Sequence, residues 1–198
     1  MSQLKMKLLN VGGNDRNIRL PEEFEEFEHL LLDIDPAVNP DVLCDAREMT
    51  SKLGGNQFDV VYCSHNLEHY YEHDVNKVLT SFWHVLKDGG MLVARVPDMG
   101  AVMRAAVAQD LDIDDVLYQA DAGSIRVLDV MYGWSAQIER SGVEFFAHKT
   151  GFTVKSLVAK VQKAGFVDVY MASNNLEIWV WAFKTAARAD LLAKVPKN

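Results

Sequence analysis

Five short apolar runs punctuate the first half of the chain: KLLNV (7 to 11), HLLLDI (29 to 34), DVLC (41 to 44), FDVVYCS (58 to 64) and MLVARV (91 to 96). Four of them are dominated by Leu, Val and Ile without clean alternation. A strand buried on one face alternates apolar with polar residues, so uninterrupted runs mark strands covered on both faces, as in a parallel sheet with layers above and below. Between the fourth and fifth runs a helix is expected, with Asp74 as its cap, Val75, Val78, Leu79, Phe82 and Leu86 at helical spacing, and Gly89-Gly90 as its end. A second helix is expected over 153 to 164, where Thr153 precedes VKSLVAKVQKA and Gly165 stops it. FVDVYMAS and EIWVWAFKT follow, separated around Asn174-Asn175, and read as a closing antiparallel pair. The expected fold is therefore an α/β open sheet, mostly parallel and seven-stranded, with an antiparallel C-terminal hairpin at its edge.

A chain of 198 residues, 49% hydrophobic, can bury a substantial core, and its length suits one domain spanning 1 to 198. Residues 98 to 152 stand apart, with the helical piece MGAVMRAAVA, the acidic run DLDIDD, and an aromatic and glycine-bearing stretch that suits no sheet strand. They read as an inserted cap or acceptor-binding segment over the strand ends. A net charge of -8 disfavours nucleic acid as a partner, because phosphate binding relies on clustered Lys and Arg. Cys44 and Cys63 share no C-x-x-C spacing and read as reduced thiols of a cytoplasmic protein. The start MSQLKMKLLN lacks the pattern of a secretion signal, and no stretch approaches the roughly 18 apolar residues of a membrane span.

HNLEHYYEH, residues 65 to 73, holds H-x-x-E-H twice: His65, Glu68, His69 and then His69, Glu72, His73. Inside a helix, each histidine pair would share a face and bind one zinc ion beside a glutamate base, the arrangement of a zinc hydrolase. The other reading is a histidine-rich loop after a strand, with no metal. Its position directly behind the fourth run favours the loop.

In open α/β sheets ligands bind beyond the carboxyl ends of the strands. Those ends read Asn10-Val11-Gly12-Gly13-Asn14, Asp33-Ile34-Asp35-Pro36, Cys44-Asp45-Ala46 and Ser64-His65. Glycines after the first strand admit a ligand close to the backbone. Carboxylates after the second and third can accept from ribose hydroxyls and an adenine amino group.

In these features, LLNVGGN, LLLDIDP, DVLCDA, FDVVYCSHNLEHY, LKDGGMLVARVPD and HKTGFTVKSLVAKVQKAGFVDV, the chain resembles a small, single-domain class I S-adenosylmethionine-dependent methyltransferase. The resemblance implies a Rossmann-like sheet, S-adenosylmethionine as cofactor and S-adenosylhomocysteine as product. It places Gly12 and Gly13 against the methionine moiety, Asp33 at the ribose, Asp45 and Ala46 at the adenine, and Ser64 and His65 beside the cofactor, with Asn14 and Ile34 also among the cofactor-binding residues. Two departures stand out: Asn10 occupies the place of an acid and Asn14 that of a second glycine. The segment NDRNIRLPEEFEEFEH is also short for a full first crossover helix. The leading expectation is methyl transfer to a small-molecule acceptor, with His65 and His148 as candidate proton acceptors. Tyr132, Trp134, Phe146 and His148 are the expected acceptor contacts from the cap. A non-catalytic nucleoside-binding module of the same fold is the alternative. A nicotinamide-dependent oxidoreductase is disfavoured, since G-x-G-x-x-G is absent after the first strand.

Overall fold

The computed structural model of the chain describes residues 5–121 and 123–197. Among the described residues, nine strands and seven α-helices succeed one another. The strands are β1 (Lys7–Val11), β2 (Glu28–Asp33), β3 (Val42–Leu43), β4 (Phe58–Ser64), β5 (Leu86–Pro97), β6 (Val116–Ala120), β7 (Gly123–Arg126), β8 (Val167–Asn174) and β9 (Glu177–Phe183). The helices are α1 (Met49–Lys52), α2 (Glu72–Val85), α3 (Met99–Ala108), α4 (Val127–Tyr132), α5 (Ser135–Ser141), α6 (Val154–Lys163) and α7 (Ala189–Leu192). Seven strands form one sheet in the order β3-β2-β1-β4-β5-β9-β8, while β6 and β7 form a separate hairpin. The first five strands of the sheet run parallel, and β9 enters antiparallel between β5 and β8. The expected Rossmann-like sheet with its antiparallel C-terminal hairpin is the observed one.

Burial on both faces explains the unbroken apolar runs. Leu9, Val61, Leu92 and Ala94 face a layer built by Val75, Val78, Leu79 and Phe82 of α2 and Leu157 and Val161 of α6. Their neighbours Leu8, Val60, Met91 and Val93 face Phe24, Phe27, Leu191 and Val195 on the other side. That second layer is thin. The segment between β1 and β2 forms only a 3-10 turn at Glu22–Phe24, so two phenylalanines and the C-terminal α7 cover a face that a longer crossover helix would otherwise cover.

Two local expectations change. Asp74 is the third residue of α2, not its cap, and its carboxylate instead pairs with Lys77 at 2.7 Å and Arg47 at 3.2 Å. Helix α2 stops at Val85, and Gly89-Gly90 lie within β5, where the pairing with β4 jumps from Phe58↔Leu86 to Val60↔Met91. The extra residues loop out, and Gly89 takes φ +68. The hairpin between β8 and β9 turns at Asn175 and Leu176, both left-handed (φ 47 and 63), which matches the twist of the flanking strands.

Helix α6 begins as its sequence suggests. Thr153 Oγ1 accepts from the Ser156 backbone N–H at 3.3 Å, and Ser156 Oγ accepts from the Thr153 N–H at 2.9 Å. Thr153→Ala should lower unfolding stability by about 1 kcal/mol, read as a reduced urea midpoint at unchanged slope.

Residues 98 to 152 build a small core of their own from Val102, Leu117, Val127 and Val130. The β6–β7 hairpin inside it was not foreseen from the sequence. None of the described helices is long and apolar enough to cross a membrane.

Candidate functional site

Strand order reverses between β1 and β4, and a cleft of about 510 Å³ opens beyond their carboxyl ends. Its floor comes from the strand ends: Asn10 and Gly12, Gly13 and Asn14 after β1, Asp33 and Ile34 at β2, Asp45 after β3, Tyr62, Ser64 and His65 at β4, and Arg95 of β5. Tyr70, Tyr71, His69, Phe145, Phe146 and Lys149 wall the opposite side.

The glycines after β1 are dictated by two asparagines. Gly12 has φ +70, and a Cβ there would lie 2.1 Å from Asn66 Nδ2; a Cβ on Gly13 would lie 2.2 Å from Asn10 Nδ2. Asn10 is itself buried, so its amide fills the space beneath the turn. Asn14 takes φ +55, a backbone region asparagine tolerates better than most residues. The turn thus closes without a third glycine.

Asp33 is 8% exposed, and each of its oxygens accepts one backbone N–H: Oδ2 from Asn14 at 3.1 Å and Oδ1 from Asp35 at 3.0 Å. These bonds fix the carboxylate and leave each oxygen a further lone pair at the cleft. Asp45 is more heavily engaged. Its Oδ1 accepts the Arg47 N–H at 2.9 Å, and the Arg47 guanidinium grips both oxygens, with Nη2 at 2.6 Å from Oδ2. Burial works to raise the Asp45 pKa, but Arg47 holds it below the usual carboxylate value. Ala46 is buried, with its side chain in the core, and is not among the residues lining the cleft.

HNLEHYYEH is not a continuous helix. His65 is left-handed at φ 49, Leu67–His69 form a 3-10 turn, and α2 starts at Glu72, so the paired-histidine helix of a zinc hydrolase does not form. His65 lies between two carboxylates, with Nε2 2.9 Å from Glu177 Oε1 and Nδ1 3.3 Å from Glu68 Oε1. Burial alone would lower its pKa; the contacts with Glu177 and Glu68 outweigh it and raise it to about 9. With Nε2 and Nδ1 both facing carboxylates, His65 is held toward its charged form, an arrangement that works against the general-base role expected of it. Arg95 completes the cluster, donating to Glu177 from Nε at 2.8 Å and Nη2 at 2.6 Å while stacking on Trp179 at 4.9 Å.

Glu68 is 1% exposed, and neither carboxylate oxygen has a hydrogen-bond partner; the His65 contact is near enough for charge attraction but not aligned as a hydrogen bond. His69 and His148 stand beside it, with ring centroids 5.0 Å apart. His148 is therefore not a cleft residue, and neither are Tyr132 and Trp134; of the acceptor contacts expected from the cap, only Phe146 lines the cleft. Burial, the largest influence on His148, lowers its pKa and keeps the ring neutral.

The sequence match and the structural likeness point the same way. Residues 25–94 match the family described as methyltransferase domain. A SAM-dependent methyltransferase from Archaeoglobus fulgidus superposes with a TM-score of 0.57 at 16% identity, covering 90% of this chain and 86% of that one. The chain has the class I methyltransferase fold. An O-methyltransferase family protein from Burkholderia thailandensis superposes at 0.54 with 12% identity, over 93% of this chain and 52% of its own. A "possible exported protein" from Bordetella parapertussis gives 0.54 at 16% identity, over 92% and 64%. The chain thus spans about half to two thirds of the length of these last two. No curated protein matches the sequence.

Within this methyltransferase fold, the structure brings Gly12, Gly13, Asn14, Asp33, Ile34, Asp45, Ser64 and His65 to one cleft. Sequence reasoning missed Arg95, Arg47, Phe145, Lys149 and the grouping of Glu68 with His148. Arg95 carried a visible signal, as the one charge inside the apolar run MLVARV.

Proposed function

We propose that the chain transfers a methyl group from S-adenosylmethionine to a small-molecule acceptor. Asp33 carries this reading: a fixed, mostly buried carboxylate with free acceptor capacity, set beside the Gly12-Gly13 turn through its bond from the Asn14 N–H. The donor set fits the cofactor. Asp33 suits the ribose diol, the close backbone turn at Gly12-Gly13 suits the amino-acid end, and the cleft lies within the roughly 300 to 1,000 Å³ range of small-molecule sites. The cofactor would supply an activated methyl on its sulfonium.

The chain's own part is orientation and exclusion of water. Tyr70, Tyr71, Phe145 and Phe146 offer apolar faces to an acceptor, and Lys149, 5.5 Å from the Tyr71 ring centroid, stands at the same wall. The positive pair His65 and Arg95 is neutralised by Glu68 and Glu177, so it orders the floor without leaving a large net charge. Asp45 serves the adenine when Arg47 yields one of the lone pairs it occupies. The net charge of -8 supports a small acceptor over nucleic acid, and the buried thiols Cys44 and Cys63 support a reducing, cytoplasmic setting. Mass spectrometry of ligand copurifying with the protein tests the reading. S-adenosylmethionine or S-adenosylhomocysteine is expected; a nicotinamide or flavin nucleotide would sink it, and a bound nucleoside with no turnover on any acceptor would favour the binding module.

A further inference from the structure

We propose that Glu68, His69 and His148 form a binding site for one divalent transition-metal ion of the zinc class, at the wall of the cofactor cleft. A ligand atom of each residue lies within 4.8 Å of those of the other two. Glu68 supplies the independent observation: a carboxylate 1% exposed, with both oxygens lacking a hydrogen-bond partner. The His65 ring, 3.3 Å from Glu68 Oε1, compensates part of that charge, and a cation between the three side chains would supply the bonded partners that both oxygens lack.

The histidines are set for ligation. His69 Nδ1 is 3.1 Å from the carbonyl of Ala147, and His148 Nδ1 is 2.9 Å from that of Val130. A carbonyl only accepts, so each Nδ1 carries a proton, which leaves Nε2 as the atom that offers the lone pair of the neutral ring. Such outer hydrogen bonds fix the tautomer and ring direction of metal-binding histidines. The two segments are also tied directly, since the Glu68 carbonyl accepts from the N–H groups of Lys149 at 2.8 Å and Thr150 at 3.2 Å.

Two imidazoles and one carboxylate favour zinc, cobalt or ferrous iron over magnesium or calcium, which take oxygen ligands. Zinc bonds of about 2.0 to 2.2 Å place tetrahedral ligands about 3.4 Å apart, so binding draws the side chains together by about 1 Å. The site uses one Glu and one His of HNLEHYYEH, but a neighbouring residue pair rather than the two histidines of H-x-x-E-H. His69 lines the cleft, so an ion held here would adjoin the space open to an acceptor.

The chemical role rests on the methyl-transfer reading; the binding of metal does not. A metal-held acceptor hydroxyl would release its proton to solvent more readily. Its oxygen would then bond to the methyl carbon as the carbon–sulfur bond breaks, the electron pair passing to sulfur and leaving S-adenosylhomocysteine.

The test uses the full chain without a histidine tag, stripped with chelator, titrated with Zn²⁺ by calorimetry and with Co²⁺ by visible absorption. One ion per chain is expected, with the intense visible bands of low-coordinate Co²⁺. His148→Ala and Glu68→Gln should each weaken Zn²⁺ binding by about 100-fold, while His73→Ala, at an exposed position, leaves it unchanged. S-adenosylhomocysteine affinity measured on the same variants separates the outcomes: retained cofactor binding with lost metal binding supports the site. No stoichiometric ion in the unmutated chain would overturn it, whether or not the cofactor binds, and so would Zn²⁺ affinity insensitive to both substitutions.

Discussion

Asp33→Ala is expected to weaken S-adenosylmethionine binding by about 100-fold, or about 2.7 kcal/mol, in calorimetric titration. The size follows from what the carboxylate does. It has little solvent to return to at 8% exposure, and hydrogen bonds to a charged acceptor contribute about 1.5 to 3 kcal/mol each. Two ribose hydroxyls would reach the lone pairs that Asn14 and Asp35 leave open. The same substitution strands those two backbone N–H groups, which loosens the Gly12-Gly13 turn and adds to the loss. Asp33→Asn separates the contributions, because an amide oxygen keeps one N–H satisfied while the charge disappears. An intermediate affinity is expected there. Unchanged affinity in Asp33→Ala, with the fold intact by circular dichroism, would remove the ribose assignment and with it the main support for the cofactor's orientation.

The parts of this fold legible in the sequence are those enforced by burial. β1, β2, β4 and the core of β5 announced themselves because both faces of each strand are covered, leaving apolar runs with no alternation to misread. The 3-10 turn at Glu22–Phe24 was foreseen from length alone, since LPEEFEEF is too short for a helix spanning the sheet. The β6–β7 hairpin was hidden because most of its residues are exposed on both sides, with only Leu117 well buried, so no periodicity accumulates. Helix ends near α2 were misplaced because Gly89-Gly90 signals a break in regular structure without saying which element it interrupts. At the site, strand-end carboxylates and glycines could be placed by position along the chain. The partner of each could not: Arg47 on Asp45, Glu177 on His65, and His148 beside Glu68 all depend on contacts between segments distant in sequence. His65 shows the consequence. Its place after β4 was correctly read, but its protonation state, and hence its chemistry, is set by Glu177 on β9.

Asp129→Ala should release the segment 98–152 while leaving the main sheet folded. Asp129 is 6% exposed and gathers the ends of two helices around one carboxylate. Its oxygens accept from the Arg126 backbone N–H at 3.0 Å and side-chain Nε at 3.1 Å, and from the Ser135 backbone N–H at 3.1 Å and hydroxyl at 2.6 Å. This start of α4 and start of α5 have few apolar contacts to replace those bonds, for the local core is limited to a few side chains such as Val102, Leu117, Val127 and Val130. Losing the bonds should increase local opening by about 30-fold, or about 2 kcal/mol, measured as limited proteolysis within residues 98–152. Acid should do the same to the unmutated chain. Burial pushes the Asp129 pKa up, but Arg126 and Ser135 together hold it well below the ordinary aspartate value. The folded segment therefore binds the proton less readily than the opened one. The stabilisation is fully present above the unfolded value of about 4 and fades as pH falls through that value toward the folded one. Cleavage within 98–152 should thus accelerate below about pH 4 in the unmutated chain, with a smaller pH slope in Asp129→Ala; equal slopes would assign the acid sensitivity to another group.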